Sequence, residues 1–174
     1  MSIGFISAKG GQGVTVTAAT YALIMSQQHQ VCLVPTDDTR AALGMADSAV
    51  EVNDNLRLVD TPDEWILTVL DGQPGDETIL VTTSCYMALR RAVRMLAQPD
   101  APKLSGIIVI EEPGRAITAD DVERTIGAKV LAIIPRDPVI ARAVDAGLLA
   151  SRVPSSIRHP LARVGVVTTV RQRD

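Results

Sequence analysis

The residues best suited to chemistry lie near the amino terminus, in the segment SAKGGQGVTVTAA at positions 7–19. Three closely spaced glycines ahead of a helical pattern can turn backbone N–H groups toward an anion, and the start of the helix adds the positive end of its dipole. Thr15 stands where a hydroxyl would reach a Mg²⁺ ion. A phosphate loop carries a lysine after its last glycine, but this chain has Val14 there. The segment therefore predicts either a phosphate site without its main cation or a tight strand-to-helix turn.

Acidic residues after apolar segments are the next candidates. Asp60 ends the segment LRLVD, and ligands of parallel sheets bind at the carboxyl ends of strands. Asp60 could instead cap a helix that begins before Pro62. Asp37 could serve a metal site, or it could cap, with Asp38, a helix that begins near residue 39. Asp37 and Asp60 therefore each have a functional and a capping interpretation.

Other reactive side chains show no catalytic pattern. His29 and His159 have no Ser or Cys partner at a recognisable spacing, which argues against a nucleophilic triad. Cys32 and Cys85 stand singly in apolar segments without a C-x-x-C spacing, so we expect buried free thiols in a reducing compartment.

The elements that position these residues alternate along the chain. Helical patterns at 16–28, 84–97 and 118–127 separate apolar segments. The six predicted strands are 2–7, 31–35, 56–60, 78–83, 104–110 and 129–135. This alternation predicts an α/β fold, a doubly wound and mostly parallel sheet with helices on both faces. We expect a single domain over 1–174 with a frayed tail at about 170–174, and Trp65 packed against the sheet.

Charge is unevenly distributed. Residues 136–174 contain seven Arg and three Asp, so their net charge is +4. The whole chain has a net charge of −3, so residues 1–135 carry −7. A basic tail on an acidic body indicates either an anionic partner or a solvated helical face. The candidate DNA-binding residues are Arg152, Arg158, Arg163 and Arg171. Without a long apolar run, a basic leader or a basic amphipathic terminal helix, we expect a cytoplasmic protein that does not bind membranes.

Several motifs resemble one family of nucleotide switches. AKGGQGVTVTAA resembles the deviant Walker A box of ParA/MinD-type ATPases, K-G-G-x-G-K-[ST], with Lys9 at the position of the signature lysine. VCLVPTDDTRAALGM is similar to the second strand and switch of that family, with Asp37 as its second aspartate and Pro35 in place of the first. LRLVDTPDEW looks like its D-T-P motif, and IIPRDPVIARAVDAG like its later I-P-x-D-P segment. The order of these motifs spans most of the chain.

The resemblance implies a site and partners. It implies ATP or ADP with Mg²⁺, a homodimer in which Lys9 reaches the phosphates of the partner, and catalytic roles for Lys9 and Asp37. It implies metal contacts by Thr15 and Asp60. It implies non-specific DNA, a ParB-like or other partner protein, and nucleoid association. The implied nucleotide-binding residues are Lys9, Gly10, Gly11, Gln12, Gly13, Val14, Thr15, Val16 and Pro135.

The departures from the family pattern lower the expected activity. Val14 replaces the loop lysine and Pro35 a switch aspartate, while Ile110 is followed by two glutamates where the family has an Asn. The sequence therefore predicts a ParA-like protein of plasmid, phage or chromosome partition with weak or absent ATP hydrolysis. Two alternatives stay open: a non-enzymatic scaffold that positions a cell-division or pilus machine, and a small nucleotide-dependent synthase or kinase.

Overall fold

The computed structural model describes residues 1–61 and 67–165, which form one eight-stranded sheet with six helices. Trp65, Arg171 and the tail at about 170–174 lie outside the described residues. The strands are β1 Ser2–Ile6, β2 Val31–Val34, β3 Glu51–Asn53, β4 Leu56–Leu58, β5 Leu67–Asp71, β6 Glu77–Thr83, β7 Gly106–Glu111 and β8 Val130–Pro135. The helices are α1 Val14–Met25, α2 Asp37–Leu43, α3 Tyr86–Leu96, α4 Ala119–Ile126, α5 Pro138–Asp145 and α6 Ser155–Ala162.

The strands follow the order β3-β4-β2-β5-β1-β6-β7-β8, and every pair except β3 with β4 is parallel. The prediction of a doubly wound, mostly parallel α/β sheet is confirmed. All six predicted strands are present, and β3 and β5 are two further strands that the sequence patterns did not predict. β5 matters more for the site, because it lies directly beside β1.

The helices divide between the two faces. α1 packs against α2 and α6, while α3 packs against α4 and β6. From β1 the chain winds outward in both directions, and right-handed crossovers then place α1 and α3 on opposite faces. Ile3 and Phe5 face the core under α1, whereas Ile6 faces Leu80 and the α3 side. The buried residues of the sheet are mostly Val, Ile and Leu.

The connection from β5 to β6 is unusually short. β1 lies between these two strands, so the chain must pass over β1 within residues 72–76. A Cβ on Gly4 would lie 2.2 Å from the carbonyl oxygen of Gln73, so only glycine fits beneath the crossing segment. Ser2 and Asp76 anchor it by two bonds: the Ser2 N–H donates to the carboxylate at 2.8 Å, and the Asp76 N–H donates to the hydroxyl at 2.9 Å.

Helix ends follow local chemistry. Thr118 caps α4 by accepting from the N–H of Asp121 at 3.2 Å, and Gly127 ends the helix at a left-handed φ of 77°, as the sequence predicts.

Cys32 is buried as expected, but Cys85 is only partly buried, because it caps the start of α3. The Thr83 hydroxyl, which donates to the Cys85 sulfur, lowers the pKa of that thiol.

Candidate functional site

The glycine loop joins β1 to α1 and presents bare backbone. Gly11 and Gly13 have φ of 77° and 80°, a left-handed conformation that strains residues with a side chain. Gly13 is the N-cap of α1, and its carbonyl accepts from the N–H of Thr17 at 3.0 Å. Nothing lies within 4 Å of a Cβ built on Gly10 or Gly11. The loop therefore leaves the positive end of α1 open to an incoming anion.

Two cavities flank this loop. The first, of about 720 Å³, lies between the loop, the start of α2, the end of β5 and the end of α5. The second, of about 310 Å³, lies between the loop, the end of β7 and the segment from β8 into α5. Both open at the carboxyl ends of the parallel strands, where such sheets bind their ligands. Gln12, Gly13 and Val16 line both cavities, so the loop forms the wall between them.

A buried carboxylate defines the first cavity. Asp71, at the end of β5, is 1% exposed. Its Oδ2 accepts from the hydroxyls of Thr36 at 2.8 Å and Thr39 at 2.7 Å, while its Oδ1 is buried without a hydrogen-bond partner among the described residues. The hydroxyl of Thr15 lies 3.5 Å from that of Thr36. The cavity thus brings together a carboxylate with a free oxygen and the hydroxyl of Thr15, which are oxygen donors of the kind Mg²⁺ takes.

The structure does not place Asp60 in the cavity that contains Thr15. Asp60 is exposed, follows β4 and lines neither cavity, because β2 and β5 separate β4 from β1. Asp71 occupies the place that the sequence analysis gave to Asp60. The signal that could have found Asp71 is the apolar run LTVL immediately before it and the glycine after it.

The start of α2 also differs from expectation. Neither aspartate caps the helix. Thr36 is the N-cap, and its backbone N–H donates to the hydroxyl oxygen of Thr39 at 2.9 Å. Asp37 is the first helical residue, is exposed and lines neither cavity, whereas Asp38 lines the first. Pro35 follows β2 and lines neither cavity.

The negative charge that lines the first cavity opposes the binding of an anion, which the backbone of the glycine loop favours. The ionisable side chains that line it in the described part of the chain are Asp38, Asp71 and Asp145, with no lysine or arginine. Lys9 is exposed and lines neither cavity. Val14 is the first residue of α1, packs partly buried against the core and also lines the cavity. The backbone is therefore suited to an anion, but no side chain in the cavity supplies a positive charge.

The second cavity is largely apolar. Val16, Ile110 and Pro135 contribute to its wall. Gln12 and Thr17 are buried there, and Gln12 Oε1 and Thr17 Oγ1 lack partners among the described residues. An apolar slot with a few buried polar atoms suits a planar heterocycle.

The rim of the second cavity carries a paired arginine. Arg136 lines the cavity and bonds to Glu112, which also accepts from Arg115 at 2.8 Å. The hydrogen bond from Arg115 is the main reason that the pKa of Glu112 is lowered, and the charge of Arg136 adds to it. Glu112 is therefore held as a carboxylate beside the cavity, and it offsets the charge of Arg136.

The candidate DNA-binding arginines do not line one common cavity. Arg152 lies beside α5 and the start of α6, Arg158 beside the end of α1 and the β3–β4 turn, and Arg163 beside β8. Between residues 1–61 and 67–165, no helix combines the length and the apolar character needed to cross a membrane.

Comparisons by sequence find nothing: no protein-family model matches the chain, and no curated protein does either. Comparisons by structure find MinD of Pyrococcus horikoshii complexed with Mg-ADP, with a TM-score of 0.77, 17% identity and coverage of 97% of this chain and 99% of that one. A ParA family ATPase of Chlorobium tepidum has a TM-score of 0.68 and 20% identity over 92% of this chain and 96% of that one. A Borrelia burgdorferi protein described as a plasmid partition protein, bound to AMPPNP, has a TM-score of 0.69 and 13% identity over 95% and 97%.

These likenesses extend over nearly the whole length of both chains. The chain therefore has the fold of the MinD and ParA ATPases, as the order of its motifs indicates. At such low identity the likeness concerns the fold, and the function must be argued from the site.

Proposed function

We propose that this chain is a ParA/MinD-type protein that binds an adenine nucleotide with Mg²⁺ weakly, hydrolyses ATP slowly or not at all, and acts in DNA partition. The observation that carries the proposal is the open glycine loop between an apolar cavity and a cavity that contains Thr15 and Asp71 but no lysine or arginine among the described residues. The structures with the same fold that contain Mg-ADP or AMPPNP support the choice of ligand.

Each part of the nucleotide has a place in this arrangement. The apolar second cavity suits the base, with Pro135 in its wall, and the loop N–H groups suit the phosphates. Thr15 and Asp71 would hold Mg²⁺, which supplies charge neutralisation to the phosphates. No group of three or more His, Cys, Asp or Glu side chains in the described residues is placed to hold a metal ion. Metal binding should therefore depend on the nucleotide.

Weak binding and slow turnover follow from the charges. Val14 replaces the cation that would meet the β- and γ-phosphates, and three aspartates line the same cavity. Charge neutralisation matters most in the transition state of phosphoryl transfer, so the loss should reduce hydrolysis more than binding. Lys9 is exposed, as a residue must be if it reaches the phosphates of a second copy. Its role and that of Asp37 in catalysis remain part of the proposal.

Calorimetric titration with ATP and ADP, with and without Mg²⁺, tests the nucleotide proposal. The matched variants are Gly10→Glu and Gly10→Gln, because the space around Gly10 is open and its φ is ordinary. Gly10→Glu places a carboxylate where the phosphates would lie and should abolish binding, whereas the uncharged Gly10→Gln should weaken it less. Equal affinities for both variants and the unchanged protein would refute binding at this loop.

A turnover assay tests the proposed weak activity. We expect ATP hydrolysis at or below the intrinsic rate of an unstimulated switch protein, on the order of 10⁻³ s⁻¹. A rate of roughly 1 s⁻¹ without any partner would contradict the proposal, since it exceeds what such a site supports without its cation.

DNA binding is proposed for the basic residues at 152–171, strengthened by a homodimer that doubles their number. Each arginine that neutralises a phosphate contributes about −0.9 to the slope of log K against log salt. Replacing Arg152, Arg158 and Arg163 by Ala should flatten that slope and weaken binding equally on unrelated duplexes. If the triple variant and the unchanged dimer give identical anisotropy titrations, these three arginines do not contribute to DNA binding.

The acidic first cavity supports a second candidate, a non-enzymatic scaffold of the same fold that positions other machinery. Its three aspartates disfavour phosphates in the absence of a cation. A folded protein that binds neither ATP nor ADP, with or without Mg²⁺, would favour the scaffold over the nucleotide switch.

A further inference from the structure

Helix α3 carries three arginines that have no ion partner in the part of the chain that the structure describes. Arg90 and Arg94 are exposed and Arg91 is partly exposed, and none of their side chains pairs with another described residue. The segment of α3, YMALRRAVRML, contains no acidic residue. By contrast, Arg115, Arg124 and Arg136 each pair with a carboxylate. The positive charge of α3 is therefore not neutralised within the described residues.

Two of the three acidic residues on the neighbouring helix α4, Asp121 and Glu123, are already engaged. Asp121 accepts from Thr118 at 2.7 Å and from Arg124 at 3.1 Å. Glu123 accepts from the backbone N–H of Val130 at 2.7 Å. α3 and α4 pack against each other, yet these carboxylates point to their own partners. No carboxylate among residues 1–61 and 67–165 forms an ion pair with an α3 arginine.

Large apolar side chains share the exposed side of α3. Tyr86 is 65% exposed, Met87 48% and Val93 41%. Ala88, Leu89 and Ala92 form the buried side of the helix. Positions 86, 90, 93, 94 and 97 recur at helical spacing, so the aromatic ring, the arginines and Val93 lie along one solvent-facing stripe. We call the exposed residues Tyr86, Met87, Arg90, Val93 and Arg94, with Arg91 beside them, the α3 face.

We infer that the α3 face binds an acidic, amphipathic segment of a partner protein. The planar guanidinium groups of Arg90, Arg91 and Arg94 match carboxylates in bidentate pairs. Tyr, Met and Arg are the residue types enriched at the cores of protein interfaces. A partner that alternates acidic and apolar residues would neutralise the arginines and cover the apolar side chains in one contact.

Duplex DNA fits the α3 face less well. Phosphates would pair with the arginines but would leave Tyr86, Met87 and Val93 without apolar contact. The α3 face also lies across the sheet from α6, which carries Arg158 of the proposed DNA-binding set. No residue of the α3 face lines either cavity beside the glycine loop, so this surface is separate from the proposed nucleotide site and from Arg158, and the inference does not depend on them.

Fluorescence anisotropy with a labelled peptide tests the inference. The probe is a designed 18-residue amphipathic helix of Glu and Leu, and its control has Gln at every Glu. We expect the protein to bind the Glu peptide at least about tenfold more tightly than the Gln peptide, because charge pairing contributes to the complex. Arg90→Ala with Arg94→Ala should weaken binding of the Glu peptide about tenfold or more, and Tyr86→Ser should weaken both peptides.

Matched variants make the result specific. Arg115→Ala and Arg124→Ala remove exposed arginines that already have partners, and they should leave peptide affinity unchanged. Circular dichroism and urea unfolding serve to check that every variant is folded, which we expect because the substituted residues are exposed. Failure of the Glu peptide to bind, or equal losses in the α3 and control variants, overturns the inference. Binding of a DNA duplex that depends on Arg90 and Arg94, with no peptide binding, would replace it with a nucleic-acid surface.

Discussion

Restoring the missing cation is the most direct test of the site, and the variant is Val14→Lys. Val14 is the first residue of α1 and lines the first cavity, so a longer side chain at this position can extend toward phosphates at the loop. Asp38, Asp71 and Asp145 line the same cavity, so a new positive charge would also offset their repulsion of an anion.

The expected gain in affinity comes from a charge-assisted hydrogen bond, about 1–3 kcal/mol. That range corresponds to a roughly 5- to 150-fold lower Kd for ATP or ADP. Two costs reduce stability in the absence of nucleotide. A lysine in the first helical turn opposes the helix dipole by about 0.3–1 kcal/mol. Val14 also packs partly buried against the core, so its replacement loses some apolar contact.

The assay is isothermal titration of ATP and ADP at fixed Mg²⁺, with urea unfolding of each variant without nucleotide. Val14→Met is the matched control, since it has a long side chain without charge. We expect tighter binding for Val14→Lys alone, together with a small loss of stability. If Val14→Lys folds normally and its Kd equals that of Val14→Met, the phosphates do not lie beside position 14, and the loop is only a strand-to-helix turn.

Three further substitutions test the fold and the site. Gly4→Ala places a Cβ 2.2 Å from the backbone of the crossing segment and should lower the free energy of unfolding by at least about 1–3 kcal/mol, measured in urea; an unchanged midpoint would contradict the tight crossing. Asp71→Asn should remove the Mg²⁺ dependence of nucleotide binding while Asp60→Asn preserves it, and the reverse result in calorimetry would restore Asp60 as the metal residue. Thr118→Ala should cost about 1 kcal/mol through the lost cap of α4, and a thermal melt identical to that of the unchanged protein would refute the capping role.

Local chemistry made much of the fold predictable. Alternating apolar segments and helical patterns predicted the doubly wound sheet, because each pattern reflects which side of an element faces the core. The ends of α4 were predictable from Thr118 and Gly127, which act within one helical turn. The glycine loop was predictable as a turn for the same reason, since positive φ at Gly11 and Gly13 is a property of the backbone itself.

The missed strands had weak local signals. β3 is three residues long, with exposed Glu51 and Asn53 on a sheet edge, so it shows no apolar pattern. β5 is a short apolar run, and such a run fits a strand or a buried helix segment equally well. Its place between β2 and β1 is fixed by pairing with strands distant in sequence, which no local window contains.

The sequence by itself determined the glycine loop, the absence of its lysine and the type of sheet, because these depend on residues close together in the chain. Only the tertiary structure decided which carboxylate meets Thr15. Asp60 and Asp71 both follow apolar strands, and the insertion of β5 beside β1 brings Asp71 to the loop. The acidic lining of the first cavity and the lack of ion partners for the α3 arginines among the described residues are likewise tertiary properties. Both depend on which side chains from separate elements come within a few ångströms of one another, because the energy of a charge is set by its neighbours in space.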